Sequence, residues 1–168
     1  MLKIYFARKM TGRTGADLIK ELAEIEFVCW KLDVVVLDPV KEEKIKSTDK
    51  EIRTSLDELT KYWARDKEMI REAHVIIDCT GPLKSEGVAH EIGYARYYLW
   101  KPVIRVYPEG LTDSVANLED DLIVSSIEQA VWKARFHWGS RLDRIKWRFN
   151  VLKRCLFKFI QHQIGEWK

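Results

Sequence analysis

The residues best placed to do chemistry stand in one segment, Ser85-Glu86-Gly87-Val88-Ala89-His90-Glu91-Ile92-Gly93-Tyr94-Ala95, which leaves a strand-like run and enters a helical pattern. Gly87 lacks a side chain, so a ligand can approach the backbone at the helix start, where free N–H groups and the helix dipole favour an anion. Glu91 lies one turn further on. Helical side chains lean toward the N-terminus, so this carboxylate can reach the mouth of a cleft as nucleophile or base. A glutamate in a first turn also answers the dipole with no further role, and Glu91 gains weight only where other groups converge on it. Cys29, Cys79 and Cys155 lie far apart, with neither Cys-x-x-Cys spacing nor a nearby histidine, and read as reduced thiols. No metal-ligand set and no cofactor motif is read in the chain.

The elements around this segment alternate. Residues 2–7 form an apolar strand-like run, 8–15 are turn-prone, and Leu18, Leu22, Ile25 and Val28 repeat at helical steps between Ala16 and about Leu32. Val34-Val35-Val36-Leu37 is a second strand, stopped at Asp38-Pro39 because proline lacks a ladder donor. The charged stretch 41–50 reads as a surface loop. Residues 51–73 read as a helix, with Tyr62 the place where a break would fall, and 75–77 as a third strand. A helix over 87–99 and a strand over 102–106 follow, and 115–135 and 140–162 read as two more helices. This order implies right-handed β-α-β crossovers. The expected class is therefore α/β, a Rossmann-like or flavodoxin-like parallel sheet of four to five strands with helices on both faces and a helical basic C-terminal extension. Ligands of such sheets bind outside the carboxyl ends of the strands, which singles out loops 8–15, 38–50, 79–87 and 107–116.

Composition narrows the class. A chain of 168 residues, 46% apolar and 33% charged, suffices for one compact domain. No run of apolar residues is long enough to span a bilayer, and MLKIYFARKM has no secretory core, so the expectation is a cytoplasmic protein. The total charge of +3 conceals a division: residues 1–130 carry 19 Lys and Arg against 24 Asp and Glu, whereas 131–168 carry 10 against 2. In the basic part Leu142, Ile145, Phe149, Leu152, Leu156 and Phe159 fall at helical steps, with Trp138, Trp147 and Phe157 interleaved. Such a helix packs on its own domain or a partner subunit, or it meets an acidic partner, either nucleic acid or an anionic membrane surface. No recognised nucleic-acid motif accompanies it.

Ile4-Tyr5-Phe6-Ala7, then Asp66-x7-His74-Val-Ile-Ile, then Gly87-x3-Glu91-Ile-Gly-Tyr-Ala, then Lys101-Pro102-Val103-Ile104, in that order, resemble the nucleoside 2-deoxyribosyltransferase family. That family includes the 2′-deoxynucleoside 5′-monophosphate N-glycosidases, and the resemblance covers roughly residues 2–130. It implies a glutamate at Glu91 that attacks C1′ of the sugar, releases the base and leaves a glycosyl ester for a second base or water to take. Carboxylates suit this work because the transition state is oxocarbenium-like. The same resemblance makes Asp66 the second acid, and two carboxyls in one cleft push their pKa values apart. It places Tyr5 in the lining of the sugar and base pocket. It also places Asn117 at a neighbouring subunit's sugar site, which implies a homodimer or larger assembly with shared sites.

Two departures bear on the substrate. Ser85 stands six residues before Glu91, where transferases of free nucleosides tend to carry an aspartate, and it resembles the monophosphate branch there, as do Gly87-Val88. A serine hydroxyl and helix-start amides accept a phosphate that a carboxylate would repel. Gly12 and Arg13, in the basic loop 8–14, suit the same group, and Glu86 opposes it. His74 replaces a usual aspartate. The expected division is a catalytic domain over 1–135 and a basic amphipathic extension over 136–168. Transfer, hydrolysis, and a non-catalytic nucleotide-binding module with a basic partner-binding tail are the three functional readings.

Overall fold

Strand β1 (Leu2–Ala7) is the axis of the molecule, buried along nearly its whole length. The computed structural model describes residues 1–46, 48, 56–81, 85–107 and 122–165. After β1 the chain runs through α1 (Gly15–Lys31), β2 (Val34–Leu37), the single turn α2 (Pro39–Glu42), α3 (Leu56–Glu72) and β3 (Val75–Asp78). It continues through α4 (Glu86–Gly93), β4 (Val103–Val106), β5 (Leu122–Val124), α5 (Ile127–Trp138) and α6 (Arg141–Gly165). The strands are all parallel in the order β2-β1-β3-β4-β5. The chain winds one way from β1 to β2 and the other way from β3 onward, so the crevice of this doubly wound α/β sheet opens at the carboxyl ends of β1 and β3. Register sets Tyr5 beside Ile76 and Ala7 beside Asp78.

Side chains of a strand alternate between its faces. Leu2, Ile4 and Phe6 pack with Ile25 and Cys29 of α1 and Ala130, Val131 and Ala134 of α5. Tyr5 and Ala7 join the other layer, with Met69 and Ile70 of α3, Ala73 just after it, and Val88 and Ile92 of α4. Each fully buried large aliphatic side chain contributes roughly 1.5–3 kcal/mol to holding the layers. Burial raises the Cys29 thiol to about 12, an unreactive position. Lys101 fastens the α3 layer to the sheet: its ammonium donates to the carbonyls of Arg71, at 2.7 Å, and Ala73, closing the end of α3.

Several expectations need correction. Asp38-Pro39 does end a strand, but Asp38 then caps α2 through its carboxylate, 2.8 Å from the Val40 N–H, with Pro39 at the first helical position. The expected loop therefore begins as a helical turn. Helix α3 runs unbroken through Tyr62. The helix expected over 115–135 is wrong at Leu122–Val124, which pair with β4 as strand β5; a short apolar run does not reveal its period, and the helix starts only after the Ser126 cap. Residues 115–121, Asn117 among them, lie outside the described residues. The helix expected over 87–99 is α4 followed by a π-helical turn, Tyr94–Tyr98. Helix α6 is hinged at Gly139, where a Cβ would run into the Arg135 carbonyl, and is held by Trp147 edge-on to Trp138 at 5.5 Å. Among the described residues no helix is long and apolar enough to cross a membrane.

His74 has a structural task. Its Nδ1 accepts the Lys3 N–H at 3.0 Å while its own N–H donates to the Lys3 carbonyl at 2.8 Å, which extends the β1–β3 ladder by a side chain. Burial, then the nearby Arg144, Lys101 and Lys3 charges, lower its pKa to about 4, so the imidazole stays neutral and able to accept. We expect His74→Ala to cost about 1 kcal/mol in urea unfolding at pH 7, with His74→Asn, which restores an acceptor, costing less.

Candidate functional site

The crevice at the strand ends is a cleft of about 840 Å³, walled by the middle of α3, most of α4 and the π turn. Spacing explains which side chains reach it. Trp63 and Asp66 stand one turn apart on α3; Gly87, Glu91 and Tyr94 stand one turn apart along α4 and its extension. Beneath them lies Tyr5, fully buried, since the alternation along β1 turns it toward the α3/α4 layer; it is not among the described residues that line the cleft, where the resemblance had placed it. Asp66 and Glu91 are also buried, at 7% and 8% exposure.

Several buried atoms around the cleft make no hydrogen bond, Arg8 Nε and Arg65 Nε among them. Tyr5 Oη, Asp66 Oδ1 and Glu91 Oε2 are buried and make no hydrogen bond. Buried polar atoms are ordinarily satisfied, so an orphaned cluster marks a place where a ligand supplies the partners. Arg65 relieves it only in part: its guanidinium pairs closely with Glu43 at 2.7 Å and more loosely with Asp66 Oδ1 at 3.7 Å, beyond a hydrogen bond. The electrostatics follow from geometry. Burial and then the Asp66 charge hold the Glu91 carboxyl well above its usual range. Burial raises Asp66 to about 6 against the opposing pull of Arg65. Tyr5 is likewise raised, by burial first and then by the Glu91 charge. Such a pair retains a proton near neutrality more readily than two separate carboxyls.

The remaining expected site residues divide. Ser85 lines the cleft and caps α4, its Oγ accepting the Val88 N–H at 3.5 Å. Gly87 is exposed at the helix start, and a Cβ there would meet nothing closer than Ser85 Oγ at 3.9 Å, so its missing side chain leaves room for a ligand. Gly93 similarly opens onto the cleft, without the tight helix-sheet contact its type invites. Gly12 serves a turn with φ +79°, and neither it nor Arg13 is among the described residues that line the cleft. Arg13 instead pairs with Glu21 at 2.6 Å. Arg8 does line the cleft, but its guanidinium is held by Asp38 at 2.7 Å and Glu21 at 3.1 Å. Its charge is spent within the body. Among the described residues no group of three or more His, Cys, Asp or Glu is arranged to hold a metal.

Sequence reasoning missed the aromatic wall. Tyr62, Trp63, Tyr94, Tyr97 and Tyr98 line the cleft, with Trp63 edge-on to Tyr94 and Tyr94 tilted against Tyr98, each pair at 5.8 Å. The signal was present: Tyr94, Tyr97 and Tyr98 continue the face of Glu91 at three- and four-residue steps. A π-helical turn, a feature that recurs at functional sites, carries them.

No family model and no curated protein matches the chain. Solved structures do. A 2-deoxyribosyltransferase from Bacillus psychrosaccharolyticus superposes with a TM-score of 0.56 at 23% identity, over 76% of this chain and 89% of that one. The chain shares the fold of this 2-deoxyribosyltransferase. A conserved protein from Enterococcus faecalis superposes at 0.55 with 21% identity, over 80% and 98% of the two chains. A CMP N-glycosidase from Clostridium botulinum gives 0.49 and 18% over the same shares, 80% and 98%.

The buried carboxyl in this shared fold has a measurable consequence. The folded chain holds the Asp66 proton up to about pH 6, the unfolded chain only to about pH 4. Stability from this group is therefore full below about pH 4 and lost as the pH rises through 6. Asp66→Asn removes the loss. In urea unfolding we expect the variant to exceed the parent by about 3 kcal/mol at pH 7.5, with the gain vanishing near pH 4.

Proposed function

We propose that the chain cleaves the N-glycosidic bond of a (deoxy)nucleoside or its 5′-monophosphate, with Glu91 as nucleophile and Asp66 as acid. The observation that carries this reading is the meeting of two buried carboxyls from separate helices, each with an oxygen that makes no hydrogen bond, above the Tyr5 hydroxyl in one aromatic-walled cleft. As the C1′–N bond lengthens, the sugar becomes cationic, and that charge favours the anion of Glu91. The proton that the pair shares passes from Glu91 to Asp66 and on to the departing base, and the freed Glu91 oxygen bonds to C1′ as the C1′–N bond breaks. In the second half a base or water attacks C1′ and gives its proton to Asp66, the ester C–O bond breaks and the Glu91 carboxylate returns. Tyr5 donates to that carboxylate and steadies it. The aromatic wall offers faces on which a nucleobase stacks.

The fold shared with a 2-deoxyribosyltransferase supports glycosyl transfer, and the family resemblance of the motifs around Tyr5, Asp66 and Glu91 adds the roles. Ser85, standing where an aspartate would repel a phosphate, supports a 5′-monophosphate. Its recognition rests on Ser85 and the α4 amides, since Arg8 and Arg13 are engaged by Asp38 and Glu21. In this reading Asn117 serves the site of a neighbouring subunit.

The test is a panel of nucleosides, deoxynucleosides and their 5′-monophosphates, each with and without an acceptor base. We expect base release or exchange, with Glu91→Gln lowering the rate by at least about 10³-fold while the variant unfolds no more easily than the parent. Absence of any product, together with a nucleotide that raises Tm, would establish a binding module instead.

A further inference from the structure

Helix α6 presents its apolar face outward. At about 100° per residue, Leu142, Ile145, Phe149, Leu152 and Leu156 fall in a single stripe. All five are exposed, Leu142 by 68% and Phe149 by 69%. The helix meets the body by its other side. There Trp147 packs on Trp138 and the core, and the Arg144 guanidinium donates to the carbonyls of Trp138 and Gly139 at 2.9 and 3.3 Å. Neither contact covers the stripe. Soluble surfaces seldom expose so many large apolar side chains side by side, and such a patch marks a surface that something else covers.

Charge selects the occupant. Arg141 and Arg148 border the stripe on one margin, Lys146 and Lys153 on the other, and all four are exposed. No acidic residue occurs between Asp143 and Glu166. Two copies paired through α6 would set basic rows against basic rows. The exposed Trp132–Phe136 stack on α5, at 5.4 Å, offers a second copy no better partner, because Lys133 and Arg135 stand beside it. Nucleic acid would satisfy the bases and leave five large apolar side chains in water. An anionic bilayer satisfies both: an apolar stripe with basic margins is the pattern of a helix lying in a lipid interface.

We propose that α6 lies flat on an anionic membrane surface, its Leu142–Leu156 stripe among the acyl chains and its flanking Arg and Lys side chains at the headgroup phosphates. This docks the protein on one leaflet without spanning it. The test is sedimentation of the full chain with phosphatidylcholine vesicles, with and without phosphatidylglycerol. We expect binding to the anionic vesicles alone, weakening with salt, and roughly fivefold weaker for each base removed in Arg148→Gln and Lys153→Gln. A Phe149→Ser, Leu152→Ser double variant, altered only at exposed positions, should keep its Tm and lose vesicle binding. The proposal fails if the parent binds neither vesicle or if the double variant still binds. It also fails if the stripe substitutions dissociate an oligomer, or release a nucleic acid, in a chain that ignores lipid.

Discussion

The period of two along β1 is the constraint on which the rest depends. That strand is buried on both faces, so each of its side chains must belong to one helical layer or the other. Phe6 goes to α1 and α5; Tyr5 goes to α3 and α4. Because β1 also stands where the winding of the sheet reverses, its end opens into the crevice, and the layer that receives Tyr5 is the layer that carries Asp66 and Glu91. A slip of one residue in register would bring Phe6 beneath those two carboxyls and remove the only hydroxyl among these buried groups.

Buried charge is treated in two ways within a few residues of each other. Arg8 and Asp38 are buried as a hydrogen-bonded ion pair, with Glu21 drawing in Arg13 as well, so close cations offset most of the buried charge, although Asp38 Oδ2 and Arg8 Nε make no hydrogen bond and burial still raises the Asp38 pKa. Asp66 and Glu91 are buried without so close a cation: the Arg65 guanidinium stays 3.7 Å from Asp66, one oxygen of each carboxyl makes no hydrogen bond, and their protonation is pushed upward. The first arrangement is what a stable interior requires of ions, whereas the second leaves a cost standing. A cost of that kind, placed in a cleft, is the signature of a group kept ready to react.

The C-terminal helix shows the same separation between local pattern and global placement. Its apolar repeat reads in sequence like a face meant for the core. In the structure a different side of the helix, led by Trp147, makes the contact, and the repeat is turned away. The anchor is small: an edge-on pair of tryptophans and one arginine over two carbonyls hold α6 to α5.

What the sequence determined by itself was the set of elements that local physics defines. The apolar run of β1, the helical repeat of α1 and the Asp38-Pro39 stop all rest on side-chain period or backbone chemistry within a few residues. The strand at Leu122–Val124 was not legible, because three residues do not establish a period and only pairing with β4 makes them a strand. Nor was the engagement of Arg8 and Arg13, whose partners lie up to 30 residues away. The meeting of Tyr5, Asp66 and Glu91 was expected only from family resemblance. It became a physical fact through the crossovers that stack α3 and α4 on one face of the sheet, since burial and the coupling of charges depend on distances through space rather than along the chain.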